Sequence, residues 1–408
     1  MKKRFLAAGL AAAMVFSMAA CGGSNDSTGN TATNDNAGST TTESTADAAD
    51  NGDAAASSGY AMDKSYPSET VKIGLEIYDV TDAQFLAVQD FYNTMSEAYN
   101  IEFMYSESID SAESEMKFVE NCAAAGCKAV IGMYNISEGE VVQKCVDLGM
   151  YYWGGADKAA IYDKFKDNDL YLGSYDNGQS DYEAGHAMAQ TLIDQGCKKL
   201  VYVSGGDEFG VDMFIQRRDG FYAAAEEAGD VEIVKKVAGW PGTDAFTAAQ
   251  SEVCDMDFDG IGCSFTAAVW FQPLANVGKL DGSVKIATIG VVDDTYKDLA
   301  DAGIVSCLVY DCEEVMFCSA LPMILNAVAG HSEAVRNADG TAANFTVPRW
   351  IIKDGETYDK IYDKHVTNHE FYVTADDIAN MLVDLNADAT FDQLADFYGS
   401  KTVDACVQ

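Results

Sequence analysis

Between about residues 70 and 330 the chain alternates short apolar runs with segments whose apolar residues recur every three to four positions. Residues 70–78, Thr-Val-Lys-Ile-Gly-Leu-Glu-Ile-Tyr, read as a strand. Phe85, Val88, Tyr92, Met95 and Tyr99 then share one helical face. A second strand is predicted at 101–105. A helix carrying Met116, Val119 and Cys122 stops at Gly126, and a third strand follows at 129–133. Further strands at 199–203, 260–263, 285–290 and 304–309 are each followed by a helical stretch. Such strict alternation predicts an α/β fold with parallel sheets covered by helices on both faces. Roughly 260 residues of it exceed one comfortable core, so two doubly wound parallel-sheet lobes are expected. In such sheets ligands bind beyond the carboxyl ends of the strands.

Charge narrows the partners. The 408 residues hold 26 Lys+Arg against 65 Asp+Glu, a net charge of −39. That field repels nucleic acid and anionic membrane surfaces, and leaves neutral, cationic or locally neutralised small molecules open. At the start, Lys2, Lys3 and Arg4 precede an apolar run over 5–16, and Met18-Ala19-Ala20-Cys21 resembles a bacterial lipobox. The resemblance implies a lipoprotein signal peptide at 1–20, lipidation of Cys21 and a lipid anchor on the outer face of the cell membrane. Without those twenty residues, 23 cations face 65 acids, a net −42. Residues 21–66 are Gly, Ser, Thr, Asn, Asp and Ala without apolar periodicity, the composition of a flexible tether.

Catalytic patterns are weak. Ten cysteines remain beyond Cys21, and none forms a C-x-x-C pair of a zinc or redox site; buried free thiols are favoured, with a few disulfides as the alternative. His365 and His369 stand four apart, but no Glu follows the first in the zinc-protease manner. No nucleophile elbow and no phosphate-binding Walker loop is present. Gly205-Gly206-Asp207-Glu208-Phe209 spells the diguanylate-cyclase signature, but a second apolar strand does not follow it, so it reads as a loop. No catalytic residue, metal or cofactor is therefore expected, and the chain is not read as an enzyme.

Several segments together resemble the type I periplasmic solute-binding proteins, the sugar-type relatives of the lac-repressor core. They are Ile73-Gly-Leu-Glu-Ile with Phe85, Gly126-Cys-Lys-Ala-Val-Ile-Gly, Gly173-Ser-Tyr-Asp-Asn with Ala184-Gly185, Arg217-Arg-Asp-Gly-Phe221, and Ile289-Gly290 with Gly303-Ile-Val. The resemblance implies two lobes joined by a three-segment hinge that closes on a small solute. It places a first lobe at 68–174 plus 312–348, a second at 175–311, and a crossing strand and helical tail at 349–408. It also implies a monomeric, lipid-anchored partner of an ABC transporter permease. A sensor that presents its ligand to a membrane receptor is the alternative, and a secreted enzyme a remote one.

Carried over residue by residue, the resemblance makes Asp82, Phe85, Asp157, Arg217, Trp240, Phe265, Asp293 and Asp311 ligand-binding candidates. Arg217 offers a fork for vicinal hydroxyls or a carboxylate, with Arg218 as the alternative. Trp240 offers a flat face for a sugar or an aromatic ring. Phe85 reads equally well as core, and Asp157, Asp293 and Asp311 as solvated loop carboxylates. Where sugar binders usually carry Asn-Asp, this chain has Phe265-Thr266. With Trp153 and Trp240, that ring suits a sugar-like but partly apolar or aromatic ligand. In the tail, a helix is predicted over 375–385 after Thr374 as N-cap.

Overall fold

The computed structural model describes residues 64–408 apart from 134–135, 157–158 and 210. The predicted signal peptide, most of the tether with Cys21, and the candidate Asp157 lie outside the described residues. Twelve strands are described: β1 (Val71–Ile77), β2 (Ile101–Ser108), β3 (Ala129–Ile131), β4 (Tyr151–Ala156), β5 (Tyr171–Asp176), β6 (Lys199–Val203), β7 (Glu232–Val237), β8 (Gly260–Cys263), β9 (Lys285–Gly290), β10 (Val305–Tyr310), β11 (Ala343–Asn344) and β12 (Trp350–Ile352). They form two six-stranded sheets, ordered β11-β5-β4-β3-β1-β2 and β12-β10-β9-β8-β6-β7. Pairing is parallel throughout except where β12 runs antiparallel to β10.

Strand composition follows position in the sheet. Every residue of β5 and β10 is buried, as expected for strands covered on both faces. The edge strand β7 is mostly half-exposed and carries Lys235 and Lys236, charges that discourage pairing with another chain. Several helices begin where a side chain satisfies one of their first N–H groups. Asp82 caps Ala83–Ala98, and Ser111 with Ser114 makes a capping box for Ala112–Ala125, which ends on left-handed Gly126.

Two helices of the second lobe approach unusually closely. Gly185 on Gln179–Asp194 lies against the Arg217 carbonyl, and Gly220 on Asp212–Ala228 lies against the Tyr182 carbonyl. A Cβ at these positions would sit 1.9 and 2.0 Å from those oxygens. Only glycine permits this crossing, and it brings Arg217 beside Asp181.

The chain passes between the sheets three times: from β5 into Gln179–Asp194, from β10 into Glu313–Phe317, and from β11 into β12. The tail then grips both lobes. The Tyr398 hydroxyl donates to the Tyr175 carbonyl at 2.7 Å, and Trp350 Nε1 donates to the Lys401 carbonyl at 2.8 Å. Lys297, on the helix before β10, pairs with Asp359.

The tail helix is shorter than its periodicity predicts, spanning Ala375–Asn380 rather than reaching residue 385. Its Thr374 cap is present, but the buried Asn326 amide donates to the Met381 carbonyl and accepts from Val383 N–H. Those backbone groups are thereby drawn into a turn. All ten described cysteines are free thiols, eight of them buried. No helix among the described residues is long and apolar enough to cross a membrane.

Candidate functional site

The crossings meet in a buried charge network. Asp176 ends β5, Asp181 lies in the first turn of the next helix, Asp311 follows β10, and Arg349 precedes β12. The Arg349 guanidinium donates to Asp311, and its Nη2 lies 3.2 Å from Asp181 Oδ1 and 3.4 Å from Asp176 Oδ2. Asp181 Oδ1 also accepts from Arg217 Nε at 2.7 Å. Burial opposes the Arg349 charge, but Asp311, Asp181 and Asp176 outweigh it and hold the guanidinium above its usual range. Burial pushes the Asp176 carboxyl up to about 6; Arg349 opposes that rise and Asp181 adds to it.

Arg217 is held on every side. Its Nη1 donates to the Ser264 carbonyl at 2.9 Å, its guanidinium lies 5.6 Å from the Phe214 ring centre, and only 6% of the residue is exposed. Arg218 instead faces Asp207 and Asp219. Asp207, from the cyclase-like pentapeptide, is buried in a short 3-10 turn and accepts from Lys236 Nζ at 2.7 Å and Arg218 Nη1 at 3.0 Å. Burial alone would raise its carboxyl, but those donors and Ser204 hold it below the usual range. The aspartate fixes the loop after β6.

Against that loop stand the aromatic candidates. Trp240 meets Phe214 edge-on at 5.4 Å and Phe265 at 6.2 Å, and Phe265 meets Phe246 at 6.4 Å. Trp240 and Phe265 are half-buried, whereas Phe214 and Phe246 are buried. Gly205 and Gly206 let the rings lie against the backbone. A Cβ on Gly206 would sit 3.0 Å from both Phe214 and Trp240. The result is a partly open aromatic face at the carboxyl ends of β6 and β8.

The remaining candidates are dispersed. Phe85 is buried in the core and stacked on Tyr78, and Trp153 is wholly buried. Asp82 is committed to capping, accepting from Gln84 N–H at 2.8 Å. Asp293 accepts from Thr295 N–H at 2.8 Å, and its backbone bonds to the Tyr358 hydroxyl of the tail. Asp311 is the Arg349 partner. Two buried residues escaped the sequence reading. Arg349 has no motif around it. Glu115 looks like a helix-surface residue, yet it accepts from Ile136 and Ser137 N–H and from Tyr78, bracing the loop after β3.

No family model matches the chain, and no curated protein matches it. Solved structures do. A periplasmic solute-binding protein of an ABC transporter from Actinobacillus succinogenes, with D-allose bound, superposes with a TM-score of 0.58 at 16% identity, covering 71% of this chain and 99% of that one. A solute-binding protein from Bacillus halodurans with bound myo-inositol gives 0.56 at 16% identity, over 72% of this chain and 98% of that one. A galactofuranose-binding protein gives 0.57 at 14% identity, over 73% and 99%. The chain therefore has the two-lobed fold of the type I periplasmic binding proteins, the class to which the sequence motifs pointed.

Proposed function

We propose that this chain is an extracytoplasmic lipoprotein, anchored through Cys21, that captures a sugar or sugar-like, partly apolar solute between its lobes and delivers it to an ABC permease. The lobes are 68–174 with 312–348 and 175–311, and the protein works as a monomer without catalysis. The observation that carries the reading is the half-buried face of Trp240 and Phe265 at the ends of β6 and β8, the position where open α/β sheets take their ligands. The sugar-bound proteins of the same fold support the solute class. Arg217 contributes from behind: it fixes Asp181 and the Ser264 backbone next to Phe265.

The test is a thermal-shift screen of the mature chain, stripped of solute by unfolding and refolding. The library spans mono- and oligosaccharides, polyols, nucleosides, amino acids and aromatic acids. A ligand at 100 times its dissociation constant stabilises by ~2.7 kcal/mol. A shift that disappears in Trp240→Ala establishes capture at the aromatic face. Folded protein with no shift across the library overturns solute capture.

A further inference from the structure

A second constellation lies on the hinge, built from residues other than the aromatic face. Cys312 and Glu314 follow β10 at the second crossing, and His365 comes from the tail. One ligand atom from each lies within 4.8 Å of the other two. Cys312 and Glu314 are about 2% exposed. His365 Nε2 stands 2.8 Å from Glu314 Oε1, without the alignment of a hydrogen bond.

Its surroundings are those of a metal ligand set. The Tyr310 hydroxyl lies 2.8 Å from His365 Nδ1, which orients the ring and leaves Nε2 for a ligand. Glu314 is fixed by Tyr372 N–H, 3.0 Å from Oε1. The rings of Tyr310 and Tyr372 flank the imidazole edge-on at 5.9 and 5.0 Å. A cavity of about 210 Å³ adjoins the group, lined by Glu313, Glu314, His365 and His369, with Asp90 and Asp293 from the two lobes. On that lining Glu313 is 3% exposed, and its Oε1 has no hydrogen-bond partner. A buried, unpartnered carboxylate oxygen is costly unless a cation or water meets it.

We propose that Cys312, Glu314 and His365 bind a borderline-soft divalent cation, Zn²⁺ by their donor chemistry, with the fourth position open to the cavity beside Glu313. Tetrahedral zinc, at ~2.0–2.3 Å from nitrogen, oxygen and sulfur, fits three protein donors plus one open position. Because two ligands belong to the hinge and one to the tail, the ion fastens the tail to the second crossing. The assignment is independent of the solute reading. Sequence spacing concealed it, since His365 is remote from Cys312 in the chain and follows no zinc motif.

The test is titration of the mature chain, freed of metal by chelation, with Zn²⁺ against a chromophoric chelator, and with Co²⁺ by absorption. The expected result is one equivalent bound and a thiolate-to-cobalt charge-transfer band. Both the band and ~10–100-fold or more of Zn²⁺ affinity should be lost in Cys312→Ser. Cys406→Ser, outside the cluster, should keep both. His365→Gln, at a less buried position, should also lose affinity and decides the matter if Cys312→Ser does not fold. Absence of stoichiometric binding overturns the site. So does binding of equal strength in His365→Gln, or cobalt spectra without the thiolate band.

Discussion

Arg349 Nη2 lies 3.2 Å from Asp181 Oδ1, the same carboxylate oxygen that Arg217 Nε reaches at 2.7 Å. The last segment to pass between the lobes is thus tied to the first. Asp311, on the second crossing, accepts from the other arm of the same guanidinium. One arginine connects all three segments of the hinge.

Removing that arginine leaves two buried carboxylates, Asp176 and Asp181, and the partly buried Asp311 without their shared cation. Arg349→Ala is expected to lower unfolding free energy by ~3–5 kcal/mol, the cost of breaking buried ion pairs on one side only. Arg349→Lys keeps the charge but loses the fork, and should fall between the two. Urea denaturation of the three proteins checks the order.

Asp176 gives the hinge a pH dependence of known sign. Its folded pKa, about 6, lies above the ordinary aspartate value of 3.8. The stability it contributes is full below the lower value and is lost as pH rises through the higher one. Asp176→Asn does not titrate, so its stability relative to wild type should improve from pH 4 to pH 7. The improvement over this window should be about 2 kcal/mol, at 1.36 kcal/mol per unit of the shift. Melting curves at both pH values test this, and an unchanged difference would sink it.

Tryptophan fluorescence offers a clean reporter. Of four tryptophans, Trp153, Trp270 and Trp350 are wholly buried, and Trp240 is half-buried. Acrylamide should quench Trp240 almost alone, and quenching should fall when a captured solute covers it. Gly206→Ala places a methyl 3.0 Å from Trp240 and Phe214. It should alter that quenching and weaken solute binding by about tenfold, near the 0.5–1.5 kcal/mol of an aromatic contact.

Thiol chemistry separates surface from interior. Among the described cysteines, Cys254 and Cys406 are half-buried and the other eight are buried. Burial pushes the Cys307 thiol up to about 11, and Thr191 and Lys353 only partly offset it. A thiol-disulfide reagent should label Cys254 and Cys406 in the native protein, and the remainder only after denaturation. Rapid native labelling of Cys263 or Cys307 would contradict the described packing.

The architecture was legible because burial on both faces leaves apolar runs with little alternative. The predicted strands at 199–203, 260–263 and 285–290 coincide with β6, β8 and β9. The Ala184-Gly185 and Arg217-x-x-Gly220 motifs were also readable, and their glycines prove to set one helix crossing. What one chain segment does to a distant one was not readable. Arg349 meets Asp181 across 168 residues, and no local pattern announces either partner. Phe85 shows the converse: its helical spacing was visible, but spacing alone does not separate a core ring from a cleft ring.

The outer strands carry a consequence for how the chain is made. β11 closes one edge of the first sheet, and β12, a few residues later, closes one edge of the second. A nascent chain short of residue 343 therefore holds two sheets, each with a central-type apolar strand, β5 or β10, left as a bare edge. The first sheet is complete once residue 344 has been synthesised and the second once residue 352 has, so both are finished by the same short stretch. Long-range pairings of this kind slow folding. Both lobes thus keep an unpaired apolar edge until the same late stretch of chain is made.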